Sequence, residues 1–404
     1  MKYTIGQLAE IIDGDRGKNY PQQHEFLEEG YCLFLNTGNV TATGFSFDSN
    51  QYISKEKCDS LRKGKLQRRD IVYTTRGTVG NAAFYADSVP YEHVRINSGM
   101  VIIRPNEDVV CTEFLYQILK SDYYRPYFKK YCTGSAQPQL PIKNFSTIEL
   151  DLPDLETQQK IADMLSTYDD LIKNNQKQIK LLEEAAQRLY KEWFVDLRFP
   201  GHETIPTTDG IPEGWVRYKF SEIASIMSGG TPKTDVKEYY DGNIPFYTPK
   251  DSDGSFFAFD TITHISKSGL DHCNSQYYPS GTVIITARGT VGKTTILAVP
   301  MAMNQSCYAL KCDELNSPYY LFFSLNKEVA ALKTMANGGV FNTIIVKTFD
   351  SIHLTMPTHE VLAAFDAAIS PIMDQVKVKM QQNVRLAEAR DRLLPKLMNG
   401  EIEV

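Results

Sequence analysis

What the sequence lacks narrows the field first. No apolar stretch approaches the ~18 residues that a membrane-crossing helix needs. The opening residues, MKYTIGQLAEIIDGD, hold no apolar segment of the kind a secretory leader carries. A cytoplasmic setting is therefore the expectation. Cysteine is sparse and scattered: the seven residues Cys32, Cys58, Cys111, Cys132, Cys273, Cys307 and Cys312 form no CxxC pair and no Cys/His metal spacing. Reduced thiols are expected, and neither a disulfide framework nor a metal site. Histidines are isolated, and spacing supports neither a Ser–His–Asp set nor paired catalytic carboxylates. Positive charge is not in excess: the net charge of −6 speaks mildly against a free-standing nucleic-acid binder, because phosphate neutralisation needs Lys and Arg.

The distribution of charge matters more than its sum. Between Lys55 and Arg76 there are eight basic and three acidic residues, a local net of +5. A second segment, KSDYYRPYFKKY (Lys120 to Tyr131), interleaves basic and aromatic side chains; its aromatics read as a half-buried helix rather than a stacking platform.

The dominant feature is an internal duplication. GSAQPQLPIKNFSTIELDLP (134–153) aligns with GGVFNTIIVKTFDSIHLTMP (338–357), pairing Gly134 with Gly338, Lys143 with Lys347, Phe145 with Phe349 and Pro153 with Pro357. The same offset of 204 later pairs Leu182 with Leu386 and Arg188 with Arg392. Upstream, TTRGTVGN (Thr74 to Asn81) aligns with TARGTVGK (Thr286 to Lys293), and IGQLAEI (from Ile5) with FSEIASI (from Phe220). Each half is thus a globular part followed by a helical one. DIVYTTRGTVGNAAFY and GTVIITARGTVGKTTILAV read as strands joined by Gly-containing turns, and VIIRP and STIELDLP as strands. TEFLYQILKSDYY and SPYYLFFSLNKEV read as short helices, each with Thr or Ser as its cap.

The helical parts carry apolar seams. Ile161, Leu165, Tyr168, Ile172, Asn175, Ile179, Leu182, Ala186, Leu189 and Trp193 step by four and three, and all but Asn175 are apolar. Phe365, Ile369, Ile372, Val376, Lys379, Asn383, Leu386, Arg390, Leu393 and Leu397 repeat the pattern with three polar interruptions. Such stripes need partners. Either each helix packs on its own globular domain, or the two pair antiparallel. The second arrangement gives an α+β fold of two similar mixed α/β domains separated by an antiparallel coiled coil, with a pseudo-twofold internal repeat. Full overlap would set Asn175 opposite Asn383, and Pro395 is expected to stop the second helix near Leu394. The linear segmentation is 1–153, 154–200, 201–357 and 358–404.

Several stretches resemble a known family. LPDLETQQKIADMLSTYDDLIKNNQKQIKLLEEAAQRLYKEWFVDLRFPGHE is similar to the central conserved region of the specificity subunits of Type I restriction–modification systems. IPEGWVRYKFSEIASIMSGGTP (211–232) resembles the start of their second target-recognition domain, and LLPKLMNGEIEV their C-terminus. The resemblance covers essentially the whole chain in the family's order. It implies a DNA-reading subunit without catalytic activity or cofactor of its own. It also implies an assembly with double-stranded DNA, two DNA-methyltransferase subunits carrying S-adenosylmethionine, and two motor–nuclease subunits. The rivals are a single-chain methyltransferase or restriction enzyme, a recognition subunit of a methyltransferase-only or other defence complex, and a pure coiled-coil scaffold. A coil of roughly 35 residues at 1.5 Å each would be a ruler of about 50 Å, near one and a half turns of B-DNA at roughly 34 Å per turn.

ARGTVGKT (Ala287 to Thr294) looks like a relaxed phosphate-binding loop, but TTILAVP after it is strand-like where such a loop opens a helix. A hairpin turn needing Gly at positive φ is the reading adopted. NSPYY (316–320) looks like an adenine-methyltransferase motif but reads as a helix cap. DNA-contact candidates are Arg76 and Arg288 at equivalent turn positions, Lys293 beside the latter, Lys143 and Lys347 in a loop before the last strand, and the cluster Arg62, Lys63, Lys65, Arg68 and Arg69. Gly134–Ser135 and Gly338–Gly339 are candidate loop positions for close backbone approach.

Overall fold

The computed structural model describes residues 1–134, 137–312, 317–335 and 343–404. Ser135, Gly338, Gly339 and Asn316 therefore lie outside the described residues. Packing divides the chain into two compact units, Met1–Lys173 with Asn383–Val404, and Asn174–Gln382. Each unit thus holds one globular domain together with part of each long helix.

In the first unit the runs IVYT (Ile71–Thr74) and MVIIRP (Met100–Pro105) are rich in β-branched and apolar residues and form strands buried on both faces, as short unbroken apolar runs do. They sit centrally in an antiparallel sheet of order Ala9–Asp13, Met100–Pro105, Ile71–Thr74, Ala82–Phe84. Alternate side chains serve two cores. Ile71, Tyr73, Val101 and Ile103 face the helix Thr112–Lys120, while Val72, Met100 and Ile102 pack with Leu33, Leu35 and Ile96 of a three-stranded sheet. That sheet has the order Tyr52–Ile53, Cys32–Leu35, Val94–Ile96.

The second unit repeats the plan. Ser225–Ser228, Cys307–Lys311, Val283–Thr286, Thr294–Leu297 and Phe257–Ala258 form its larger sheet, and His264–Ile265, Ile244–Tyr247 and Ala302–Met303 its three-stranded one. In both units a strand near the start of the domain pairs with its last strand: Lys2–Thr4 with Glu149–Asp151, and Val216–Lys219 with His353–Met356.

Two helices of 40 residues follow the domains, Leu155–Phe194 and His359–Met398. Each starts one residue after a capping side chain that itself follows a proline. Asp154 accepts from the Thr157 N–H at 2.9 Å, and Thr358 from the Val361 N–H at 3.5 Å. Within each unit the helices run antiparallel: Asp169 meets Arg390 in the first, and Asn175 meets Gln382 in the second. The two arrangements that the seams left open coexist. In the first unit Ile161, Leu165, Leu394 and Leu397 share a core with Phe114 and Ile118 of the domain. In the second, Tyr190, Phe194, Phe365 and Ile369 share one with Tyr320 and Phe323.

Three local expectations are corrected. The second helix does not stop at Leu394 but runs through Pro395 to Met398. Proline removes one backbone donor, and the burial of Leu394 and Leu397 outweighs that loss in a terminal turn. The helix Thr112–Lys120 is not capped by Thr112, which lies inside it; its cap position is Cys111, whose N–H donates to the Gln158 side chain at 2.9 Å. Lys143 and Lys347 sit in short helical turns, Ile142–Ser146 and the 3-10 turn Val346–Ser351, rather than a loop. The turns swing Phe145 and Phe349 into the cores, where both are fully buried.

Candidate nucleic-acid interface

The duplicated RGTVG segment is a hairpin turn in both units, joining Ile71–Thr74 to Ala82–Phe84 and Val283–Thr286 to Thr294–Leu297. Its glycines adopt left-handed conformations: φ is 69° and 104° at Gly77 and Gly80, 77° and 73° at Gly289 and Gly292. The hydroxyls of Thr74 and Thr286 donate across the turn to the carbonyls of Thr78 and Thr290, and accept from the N–H of Asn81 at 2.9 Å and Lys293 at 3.0 Å. The strand that follows Lys293 excludes the helix-opening loop of nucleotide-binding proteins.

Three further supports are shared. The Thr75 N–H donates to Gly99 and the Ala287 N–H to Ser306, at 2.9 and 2.7 Å. The loops carrying those carbonyls are closed by Asn97 and Asn304, whose side chains accept from Gly99 and Ser306. Leu140 donates to the Thr75 carbonyl at 3.0 Å and Ile344 to that of Ala287 at 2.9 Å. These last bonds bring the segment leading to Lys143 beside Arg76, and that leading to Lys347 beside Arg288. Arg288 is exposed and Arg76 half-exposed. Among the described residues neither guanidinium has a hydrogen-bonding or ionic partner. Lys143 and Lys347 are exposed as well, and Lys293 reaches the Ser252 carbonyl at 3.3 Å. Gly134, in the segment before Leu140, has φ 85°.

The basic cluster divides in two. Arg62, Lys63 and Lys65 are exposed on a backbone pinned from beneath. Buried Arg95 donates to the carbonyls of Lys63 at 2.8 Å and Leu61 at 3.1 Å, and buried Asp15 accepts from the Arg62 N–H at 2.7 Å. Arg68 and Arg69 are engaged internally. Arg68 lies 4.3 Å from the Tyr85 ring centre and donates to the Ala86 and Val89 carbonyls. Arg69, at a left-handed φ of 73°, binds Glu107 and clasps Glu113 with two nitrogens. Their donors are taken, so the exposed heads of this cluster are those of Lys63 and Lys65, with no ion pair among the described residues, and of Arg62, whose guanidinium lies 3.9 Å from the Asp15 carboxylate. The interleaved basic–aromatic segment behaves similarly. Phe128 is buried, and Lys120 is drawn into an ion pair.

Every seam position is buried or half-buried: Ile161, Leu165, Ile172, Asn175, Ile179, Leu182 and Leu189 on the first helix, and Ile369, Ile372, Val376, Asn383, Leu386 and Leu393 on the second. Asn175 donates to the Gln382 side chain at 3.5 Å, which is not the Asn partner that full overlap would supply. The Asn383 side-chain oxygen is buried without a hydrogen bond among the described residues.

Sequence reasoning missed a buried polar cluster in the first unit. Asp169 pairs with Lys120 and accepts from Gln117 at 2.7 Å and from Arg390 at 2.7 Å. The Lys120 ammonium lies 4.8 Å from the Tyr116 ring centre. Burial pushes Lys120 down to about 8 despite the attraction of Asp169. Burial would also raise the Asp169 carboxyl, but Lys120, Gln117 and Arg390 hold it below the usual carboxylate range. A signal existed in Arg390, a charge at a seam position, but its partner comes from an element some 220 residues away in sequence. The capping reading of SPYY holds from Ser317 onward: its hydroxyl accepts from the Tyr320 N–H at 3.1 Å and donates to Asp366.

Duplicated α+β domains, each presenting an unpaired arginine on the same braced turn and each packed on paired helices, define a class of chain built to present two similar surfaces. The comparisons make the class specific. Residues 1–184 and 212–385 each match the family described as Type I restriction modification DNA specificity domain. This chain belongs to that family, whose domains recognise DNA sequence, and it carries two copies. It is 26% identical to the HindI Type I restriction enzyme specificity subunit of Haemophilus influenzae, over 96% of this chain and 98% of that one. It is 26% identical to the MjaIX specificity subunit of Methanocaldococcus jannaschii, over 83% and 78%. Its fold is similar to that of the Type I restriction–modification S subunit from M. genitalium, with TM-score 0.53 and 15% identity over 98% and 96% of the two chains. No helix among the described residues is long and apolar enough to cross a membrane.

Proposed function

We propose that each globular domain reads one half of a bipartite, asymmetric double-stranded DNA site. The paired helices set the gap and dock two DNA-methyltransferase subunits, through which motor–nuclease subunits join. The chain is the non-catalytic adaptor of this cytoplasmic complex: methylation, ATP hydrolysis and cleavage belong to its partners. S-adenosylmethionine is their cofactor.

The observation that carries this reading is the braced turn. Two domains with largely different sequences keep the same hydrogen bonds around RGTVG and leave Arg76 and Arg288 without a partner among the described residues. A rigid turn with a free guanidinium suits bidentate reading of a guanine edge, with Lys143 and Lys347 on adjacent turns available for phosphate. Exposed Arg62, Lys63 and Lys65 would add contacts to the DNA backbone, and Lys293 belongs to the second turn.

The test is the DNA modified in a host that expresses the chain with its methyltransferase. A split motif of two unlike halves is expected. Exchanging residues 1–153 for another family member's first domain should change one half only. A change in both halves, or an unsplit motif, would defeat the two-reader model.

A further inference from the structure

The second glycine of each RGTVG turn lies directly under a cation carried by a helix of the same unit, and the two units achieve this with different residues. A Cβ built on Gly80 would come within 3.6 Å of the Arg125 guanidinium, and one on Gly292 within 3.0 Å of the Lys333 ammonium. Arg125 belongs to the short helix Arg125–Lys129, and Lys333 to the last turn of the long helix Pro318–Met335. The helices differ in length, and the two cations do not occupy aligned positions in the duplicated sequence. What recurs is the placing of positive charge over one end of the turn, with a free arginine at the other.

Neither cation is consumed by its protein contacts. Lys333 makes one long hydrogen bond, 3.4 Å, to the Gly292 carbonyl. It has no carboxylate partner among the described residues. Burial, and then the neighbouring Lys293 ammonium, hold it below the ordinary lysine value. Arg125 is tied through Nε to exposed Asp122 at 2.8 Å and reaches the Asn81 side chain through Nη1 at 3.5 Å, which leaves Nη2 open. A groove of about 490 Å³ opens between Arg125, exposed Lys129 and the turn residues Gly77, Thr78 and Val79. Lys333 and Lys293 crowd together without a carboxylate partner among the described residues, and Arg125, paired only with exposed Asp122, stands beside Lys129; an added anion stabilises both arrangements.

Resting on the DNA-recognition reading above, we propose that Arg125 with Lys129 in the first unit, and Lys333 with Lys293 in the second, clamp a DNA phosphate beside the turn. They are positioning residues: they hold the backbone so that Arg76 or Arg288 meets a base edge. Glycine at 80 and 292 follows from the left-handed backbone there, and at 292 a Cβ would in addition crowd Val329 and the Lys333 side chain.

Salt dependence separates a phosphate contact from a base contact or a structural one. The complex of this chain with its methyltransferase subunits would be titrated onto duplexes with and without its own modification motif, from low to moderate salt. Arg125→Gln, Lys129→Gln and Lys333→Gln should each weaken binding to both duplexes alike. Each should also reduce the slope of log affinity against log salt by about 0.9, the value per phosphate neutralised on B-DNA. Arg125→Lys and Lys333→Arg should restore the slope, and the methylated sequence should not change. Lys129 is exposed, so its variant reports even if a neighbour's variant unfolds. Unchanged slopes in the glutamine variants would overturn the clamp, and so would a shift in the methylated sequence, which marks a base reader. If the unaltered complex shows no salt-dependent binding to its own motif, it is the DNA-recognition reading itself that fails.

Discussion

Asp169→Ala tests whether the buried charges of the first unit act as one energetic device. Lys120, Asp169 and Arg390 have side chains only 6%, 12% and 15% exposed. They join the helix Thr112–Lys120 of the domain to both long helices. Removing the acid leaves Lys120 without a carboxylate and Arg390 with only its neighbour Asp391, 2.8 Å away, in a site with little water, and breaking a buried pair in this way costs about 3–5 kcal/mol. For a unit of this size a change of 1 kcal/mol moves the melting temperature by roughly 2–4 °C, so a fall of roughly 6–20 °C is expected at neutral pH. Lys120 limits the loss. Its folded-state value of about 8 already lies below the unfolded one, and losing Asp169 lowers it further. A group with a depressed folded lysine value releases its proton first from the folded state, so its contribution to stability rises with pH across that window. The penalty of Asp169→Ala should therefore be larger at pH 6 than near pH 9. In the parent protein the Asp169 contribution is present above the ordinary carboxylate range and lost as pH falls below it. Replacing these three charges, by Lys120→Met, Asp169→Leu and Arg390→Met, removes the desolvation cost with the attraction and leaves only the half-buried Asp391 carboxylate, which loses its pair with Arg390. The triple variant should match or exceed the parent by about 1–4 kcal/mol. Thermal and denaturant unfolding followed by circular dichroism measure all of this. A single-variant penalty below about 1 kcal/mol, the value of an exposed pair, at both pH values would refute the argument.

The other expectations are independent. Burial and the Asp253 carboxylate raise Glu183 to about 7, so the folded state of the second unit holds this proton longer than the unfolded chain. Stability should fall as pH rises from about 4.5 to about 7. Glu183→Gln should flatten that slope and stabilise the unit at pH 8 by about 1–2 kcal/mol, taking 1.36 kcal/mol per pKa unit and discounting for partial exposure; unfolding curves at several pH values decide it. The isolated chain should neither bind S-adenosylmethionine nor methylate or cleave DNA, and micromolar binding of that cofactor by calorimetry would contradict the adaptor reading. Matched heptad insertions in both long helices, near Asn175 and Asn383, should lengthen them by about 10 Å and the preferred DNA gap by roughly three base pairs at about 3.4 Å each. Affinity should drop, since the added pairs turn the second half-site by roughly 100°. An unchanged gap with undiminished methylation would show that the helices do not measure the site.

Local chemistry made much of this protein legible in its residues. The repeated RGTVG could be read as a hairpin because its glycines and flanking β-branched residues constrain the backbone over a few positions. The two seams could be read as paired helices because a 3.5-residue apolar period leaves a stripe that must be covered. Pro395 misled because a local propensity was weighed without the burial of Leu394 and Leu397, which only packing reveals. Tertiary structure alone decided which charges are free. Arg68 and Arg69 look like their neighbours Arg62 and Lys63 in sequence. Partners as distant as Val89 and Glu113 engage the first two, while Arg95 and Asp15 brace the backbone that exposes the others. The cations over Gly80 and Gly292 were equally invisible, since Arg125 and Lys333 reach the turns from helices about 40 residues downstream, at positions the duplication does not align. Periodicity and turn chemistry are properties of neighbouring residues and survive in a string of letters. The pairing of a charge depends on which distant elements the fold brings within a few ångströms, and only the packed chain determines that.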